Sequence, residues 1–301
     1  MIYSPDEYDV PGRVAPHWPS DWSMDSSNFD GTVTPSSVTW RINGEIVLLL
    51  GWTRAILLQF AHPLVAQGVA DHSRFRNGPL ARWQRLQHTL GSMLYLTFGT
   101  RHQAWQTARL IDGIHGRTVG RLMTNVGTFE AGTPYSARDP ALLRWVWATL
   151  VDSLLRTYEL FVGPVAPAEK DLYCREATSL GPLLGVPEGY LPDSHHGLLS
   201  YLKEMLANGQ IQVGPIARQL ARDLLAPPLP VLGVPLVEIF RLSTAGLLPE
   251  PIRSAYSLPW SPRREKALIV LAGLSRALHR RLPPRLHRWP IAERRAALGN
   301  A

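Results

Sequence analysis

From Ile46 to Ala70 the chain is apolar at nearly every position, and the exceptions, Trp52-Thr53-Arg54, Gln59, His62 and Gln67, are too scattered to form a polar face. A helix that is hydrophobic all round must lie inside the protein. The stretch therefore predicts a central buried helix over 44–70, kinked at Pro63, which removes a backbone hydrogen bond. Arg54 and His62, carried inside with it, need partners. Beyond it the apolar positions recur at helical spacing over 80–98, where Leu86, Leu90, Met93, Leu94 and Leu96 make a stripe, and over 104–122, 141–161, 168–184, 197–207, 214–225, 236–247 and 262–282. Thr100 has the character of an N-cap for the second of these, and Asp139 with Pro140 that of an N-cap and first helical residue for the third. Asn77-Gly78-Pro79, Gly163-Pro164 and Pro283-Pro284 punctuate the chain. No convincing period-two strand pattern, internal repeat or low-complexity tract is visible, so the fold class is all-α.

Three regions follow from this pattern. Residues 1–40, rich in Pro, Ser and Asp, form an extended arm that lies on the body through Trp18, Trp22 and Trp40. Residues 41–250 are the helical domain. Residues 251–301 are a basic amphipathic segment packed on it or flanking it.

Composition changes the picture in two places. The chain has one cysteine, Cys174, which excludes an intramolecular disulfide framework and any thiol-ligated cluster. Its charge is also concentrated: 252–301 carry eleven Arg or Lys against Glu265 and Glu293, a net of +9, so the rest carries −2 of the chain's +7. The basic character is thus local. An anionic membrane surface suits such a helix, and so does plain water over an Arg-rich face; no nucleic acid partner is expected. The N-terminal residues carry no secretory pattern and the long apolar run is interrupted by Arg54, Gln59 and His62, so the expectation is a soluble, cytoplasmic protein able to sit peripherally on a membrane.

Candidate chemistry gathers in residues 41–120, which hold five of the ten histidines. Arg85 and Thr89 are four apart and share one helix face. His115 lies among Gly113, Gly116 and Gly120, each costing about 1 kcal/mol relative to alanine in a helix, which leaves room for something flat. His115 is either a satisfied core histidine or a metal ligand. Arg85 either pairs with Asp71 or Glu45 or stabilises developing negative charge, and Thr89 either bonds back to its own helix or acts with Arg85. His62 either bonds a carbonyl freed by Pro63 or meets an anionic group. His72 and Arg74 either face solvent or bind carboxylates. Asp112 and Asp152 with His115 do not make a non-haem iron set, which needs two histidines and a carboxylate converging.

Several runs occur together and in order: Ile42-Asn43-Gly44-Glu45, Gln59-Phe60-Ala61-His62-Pro63, Val69-Ala70-Asp71-His72-Ser73-Arg74-Phe75, Arg85 with Thr89, Phe98-Gly99, His115 with Val119-Gly120, and Tyr135-Ser136-Ala137-Arg138-Asp139-Pro140. In these the chain resembles the oxygenase MpaB and rubber-oxygenase family over most of its length. The resemblance implies a globin-like all-α fold holding haem b, His115 as the proximal iron ligand, and Arg85 and Thr89 as the pair facing oxygen on the opposite side. If haem is held, the anionic groups that His62, His72 and Arg74 would meet are its propionates, the alternatives for each staying open. Rubber oxygenases place a lysine where this chain has His88, which therefore either turns toward the iron or packs alongside, being offset from Thr89 by about 100° around the helix. Many relatives also carry a histidine where Trp147 stands. Leu57, Phe60, Leu86 and Met93 are expected to keep water from the site. The activity implied is oxidation of a hydrophobic, unsaturated and in the best-studied relatives isoprenoid substrate by dioxygen; the alternatives are a non-catalytic haem sensor or carrier and a metal-free lipid-binding helical protein.

Overall fold

A computed structural model describes residues 33–72, 79–226 and 234–299. Arg74 and most of the N-terminal arm, with Trp18 and Trp22, lie outside the described residues, and of Arg85 and Leu86 the backbone alone is described. The described residues form thirteen α-helices and one two-stranded sheet: α1 Val38–Asn43, α2 Leu49–Phe60, α3 Pro63–His72, α4 Pro79–Phe98, α5 Arg101–His115, β1 Val119–Arg121, β2 Pro134–Ser136, α6 Pro140–Phe161, α7 Pro167–Thr178, α8 His195–Ala207, α9 Pro215–Leu225, α10 Val234–Leu247, α11 Glu250–Ala255, α12 Pro262–His279 and α13 Pro290–Gly299. The architecture is all-α apart from the β1–β2 pair, which is antiparallel with Gly120 opposite Tyr135.

The centre is the pair α2 and α6, with α9 and α10 against α2, and α8 and α12 against α6. Their close approach follows from small side chains. On α6, Thr149, Ser153 and Thr157 each return a hydroxyl to the carbonyl four residues back, at 3.0, 2.5 and 2.6 Å, so the face is polar in sequence yet internally satisfied. Gly51 of α2 sits directly on Thr157, where any Cβ would collide with the hydroxyl. Arg54, one turn further, is buried with all three of its guanidinium nitrogens engaged. Nη2 bonds Asp152 Oδ2 at 2.6 Å, Nη1 bonds Ser153 Oγ at 2.5 Å and Nε bonds the Leu247 carbonyl at 2.7 Å. The partners that burial of a charge demands are thus supplied by α6 and α10.

The run 46–70 is not one kinked helix. After a 3₁₀ turn at Ile46–Leu48 it divides into α2 and α3, bent by 103°. Pro63 is the first residue of α3, and Ala61 and His62 leave the helix. The Gln59 carbonyl, which loses its helical donor to Pro63, accepts His62 N–H at 3.1 Å, and Ala61 O accepts Gln212 N–H at 2.8 Å, so the break leaves both carbonyls paired. No helix among the described residues is long and apolar enough to cross a membrane.

Caps fall where the side chains predict. Thr100 and Gln103 form a reciprocal capping box at α5, with bonds of 3.2 and 2.8 Å. Asp139 accepts Ala141 N–H at 2.8 Å at the start of α6, with Pro140 at its first position. Trp40, at the arm's end, is buried edge-on against Phe98 with ring centroids 4.8 Å apart. Helix α5 stops at His115 rather than continuing to Leu122, because the chain there turns and enters β1, with Thr118 bonding the Ile114 carbonyl at 2.9 Å. Helix α12 buries Leu268 and Ala272 and exposes Ile269, Val270, Leu274 and Leu278. It is followed by α13, which packs on α4.

Candidate functional site

Helices α4 and α5 are joined by two residues, Gly99 and Thr100, and pack on one another. Met93 and Leu96 of α4 and Ala108 and Ile111 of α5 share a small apolar cluster with Leu183, which defines the facing sides of this hairpin. Arg85 and Thr89 fall on the same side of α4 as Met93 and Leu96, at spacings of four, four and three; His115 falls on the side of α5 that carries Ala104, Ala108 and Ile111, at spacings of four, three and four. Arg85 lies 13 residues before the end of α4 and His115 lies 14 after the start of α5. At 1.5 Å per residue both stand roughly 20 Å from the turn. Arg85 and His115 thus stand at similar distances along their helices from the turn.

His115 is half-buried, and among the described residues its ring forms no hydrogen bond. Burial lowers its pKa, the nearby Asp112 carboxylate only partly countering it, with Arg138 acting in the same direction as burial. The imidazole is therefore neutral at pH 7, as a metal ligand must be. One turn earlier on α5, Asp112 takes a bidentate pair from Arg138, Nε at 2.8 Å and Nη2 at 2.7 Å, with a further contact of 3.3 Å to the Asp112 carbonyl. The guanidinium lies over Gly116, where a Cβ would come within 2.8 Å of it. The spaces at Gly116 and Gly120 are thus filled by Arg138 and by the Tyr135 ring; a Cβ at Gly113 alone would meet nothing within 4 Å among the described residues.

Helix α3 reaches the same region through its last turn. His72 places Nε2 2.9 Å from the Val119 carbonyl, with its ring edge-on to Tyr135 at 6.2 Å. Tyr135 donates to Asp71 at 2.6 Å, and Gln67 donates to the same carboxylate at 2.9 and 3.1 Å. Desolvation and the Asp71 bond raise the Tyr135 pKa, so it stays a neutral donor. His62 is set apart: it is fully buried, its ring rests against Phe129 with centroids 5.2 Å apart, and its Nδ1 has no hydrogen-bond partner. Desolvation lowers its pKa to about 4, Asp139 opposing weakly. His62 and His115 therefore both border the junction between β2 and α6 at Arg138-Asp139. His88 and Thr89 are exposed on α4.

Some expectations change. Leu57 and Phe60 belong to the main core with α6 rather than to the α4–α5 hairpin, because α2 is turned away by the break at His62. Asp71, weighed as a structural partner of Arg85, accepts from Tyr135 and Gln67, and Glu45, weighed likewise, meets His279 and His287; the Arg85 side chain lies outside what is described. Asp152 belongs to Arg54 and Arg156, far in role from His115. Arg138 went unassigned in the sequence although it stands within the run Tyr135–Pro140; the signal was a conventional helix-start pattern, and its pairing with Asp112 is visible only once β2 returns beside β1.

No curated protein and no solved structure matches the chain. The family model of the ER-bound oxygenase mpaB/B′/rubber oxygenase catalytic domain matches residues 40–278, which span well over half of the chain and include every residue of the α4–α5 hairpin and of the β1–β2 pair. The chain belongs to this oxygenase family.

Proposed function

We propose that this chain is a haem-b-dependent oxygenase with His115 as the protein ligand to iron, acting on a hydrophobic, unsaturated substrate. The observation that carries the reading is His115 itself: a half-buried imidazole whose pKa burial lowers, without a hydrogen bond among the described residues, on the side of α5 that carries Ala108 and Ile111. Its donor chemistry fits haem iron. Bound haem would supply the one-electron iron chemistry that lets dioxygen react with an unsaturated carbon chain.

The protein's own residues have separable tasks. Arg138, clamped on Asp112 and lying over Gly116, fixes the turn that follows His115 and so the direction of the imidazole. Arg85 and Thr89, on α4, would be the residues that offer hydrogen bonds to dioxygen held there. Met93, Leu96, Ala108 and Ile111 pack between this region and the turn, and so exclude water from the interior of the hairpin. His72 and Arg74 are the cationic candidates for haem carboxylates, with His72 already tethered to β1. His62 neighbours this region through Asp139, and His88, beside Thr89, would be a further residue to hold the haem. The exposed apolar stripe Ile269, Val270, Leu274 and Leu278, rimmed by exposed Arg263, Lys266, Arg280 and Arg281, is assigned to an anionic lipid surface from which such a substrate is drawn.

The test is His115→Ala. Haem retention after purification should fall to a small fraction of wild type while helical circular dichroism is unchanged, and substrate-dependent oxygen uptake should disappear. Full haem occupancy in the variant overturns the assignment of His115, and stable haem without oxygen uptake in the wild type overturns the assignment of catalysis.

A further inference from the structure

We infer that Glu45, His279 and His287 form a binding site for a divalent first-row transition ion, separate from the His115 region. Glu45 precedes the 3₁₀ turn that leads into α2, His279 is the last residue of α12, and His287 follows the 3₁₀ turn at Pro284–Leu286. The Glu45 side chain is 5% exposed, and its Oε2 lies 3.1 Å from His279 Nε2 and 2.8 Å from His287 Nδ1. All three ligand atoms lie within 4.8 Å of one another, and the two imidazole rings stand 4.1 Å apart.

Two ligands held at about 2.0–2.1 Å from one ion are about 2.9–3.4 Å apart at angles between octahedral and tetrahedral. Both nitrogen–oxygen distances are at or near this range, and the two nitrogens, within 4.8 Å of one another, need close only modestly around an ion. Two imidazoles and a carboxylate select zinc, iron, cobalt, nickel or copper over calcium and magnesium, which take oxygen. The histidines are 24% and 16% exposed, so the outer side of the cluster is open to water as a further ligand. The carbonyls that end α12 also favour a cation beside His279.

The surroundings hold the ligands still. Ile46 N–H bonds the His287 carbonyl at 2.8 Å, Trp289 N–H bonds the Gly44 carbonyl at 2.8 Å, and Glu45 and Arg288 form an antiparallel bridge. Arg288 lies 3.8 Å from the other carboxylate oxygen and is itself paired with Glu293 at 3.0 Å, which leaves Oε2 to the histidines and places the group that supports a ligand behind it. Gly44 makes room for that guanidinium, whose Nη2 would lie 2.6 Å from a Cβ. With Glu45 and Glu293 against one arginine, the cluster carries spare negative charge for the ion.

On binding, each ring presents a lone pair at the nitrogen that otherwise donates to Glu45 and carries a proton on the other nitrogen. Glu45 exchanges two hydrogen bonds for one metal–oxygen bond. Glu45 lies within the stretch matched by the family model, and His279 and His287 lie just past its end.

The experiment uses full-length protein without a polyhistidine tag, freed of loosely bound metal by a chelator and titrated with Zn(II) alone. Calorimetry should show about one saturable equivalent, elemental analysis should find it retained after gel filtration, and Zn(II) should raise the melting temperature by mass action. Glu45→Gln and His279→Gln should each weaken binding by at least the roughly 10–100-fold that loss of a supporting group costs. The partly exposed His279 position tolerates substitution even if Glu45→Gln unfolds the protein. His115→Ala should bind Zn(II) as wild type does, which separates this site from the haem reading. Absence of saturable Zn(II) in the wild type, or wild-type affinity in His279→Gln, overturns the inference and leaves the cluster as a hydrogen-bonded tie.

Discussion

Asp152→Asn tests how the centre of the molecule is held. The substitution keeps the shape and one acceptor but leaves the Arg54 charge buried without a counter-ion; Arg54 and Asp152 side chains are 3% and 2% exposed. The Ser153 and Leu247 bonds to the guanidinium survive, while the 2.6 Å ionic contact and the Arg156 pair at 2.8 Å are lost. Removing one member of such a pair costs about 3–5 kcal/mol, and the retained neutral acceptor puts Asn near the lower figure. For 301 residues with an unfolding entropy of about 2.1 cal/mol/K per residue, a loss of about 3 kcal/mol lowers the melting temperature by roughly 5 °C. The pH dependence adds a second readout. Burial alone would raise the Asp152 pKa, and Arg54 and Arg156 more than offset it, so the folded value lies below the ordinary one. The stabilisation is therefore complete above the unfolded value of about 3.9 and is lost as pH falls through the folded value. The gap between wild type and variant, measured by calorimetry or urea unfolding, should be full at pH 7 and close only in strong acid. A loss under about 1 kcal/mol at pH 7 would refute the pair as a mainstay of the core. So would a gap that closes well above pH 4, in conflict with the direction of the shift. Arg54→Met with Asp152→Leu, which removes both charges, should recover most of the loss.

Gly51→Ala forces a methyl into the Thr157 hydroxyl and should cost about 1–3 kcal/mol, read as a lowered urea midpoint; a neutral outcome would mean that α2 and α6 separate freely. Arg138→Ala removes a positive charge that lowers the His115 pKa and leaves Asp112 to raise it. Haem should then dissociate at higher pH on acid titration than in wild type, and an unchanged or lower pH of release counts against Arg138 as the positioning group. Leu274→Ser with Leu278→Ser should abolish co-sedimentation with anionic liposomes at low salt while preserving the melting temperature, since both side chains are exposed. Wild-type protein that stays in the supernatant removes the lipid assignment.

The parts of the fold legible in the sequence are those set by neighbours in the chain. Thr100 with Gln103 and Asp139 with Pro140 mark helix starts because a cap is a contact over two or three residues. The apolar stripe of α4 likewise announces its packed side. Legibility ends where distant segments decide. Periodicity made 46–70 continuous with a kink at Pro63, whereas the chain leaves the helix at Ala61 and His62, and the Ala61 carbonyl is met by Gln212, about 150 residues on. Three-residue strands carry too few positions to alternate, so β1 was absorbed into the helix before it. For the site, His115 and the Arg85–Thr89 pair stood out through spacing and family resemblance. Arg138 over Gly116 did not, because the glycine reads as empty space until the β2–α6 junction fills it. Glu45 with His279 and His287 was illegible for the plainest reason: the partners are 234 and 242 residues away.

That separation bears on how the protein is made. During synthesis at about 5–20 residues per second, roughly ten to fifty seconds pass between the addition of Glu45 and that of His279. Through that interval a carboxylate destined for the interior has none of its native partners, and the backbone pairing of Gly44 and Ile46 with the chain near His287 is equally deferred. The first helices can assemble with α6 while their entry remains wet and exposed. Closure of this end therefore waits until the segment around His279 and His287 has been made, and the interval before it is when the nascent chain is most open to chaperones and proteases.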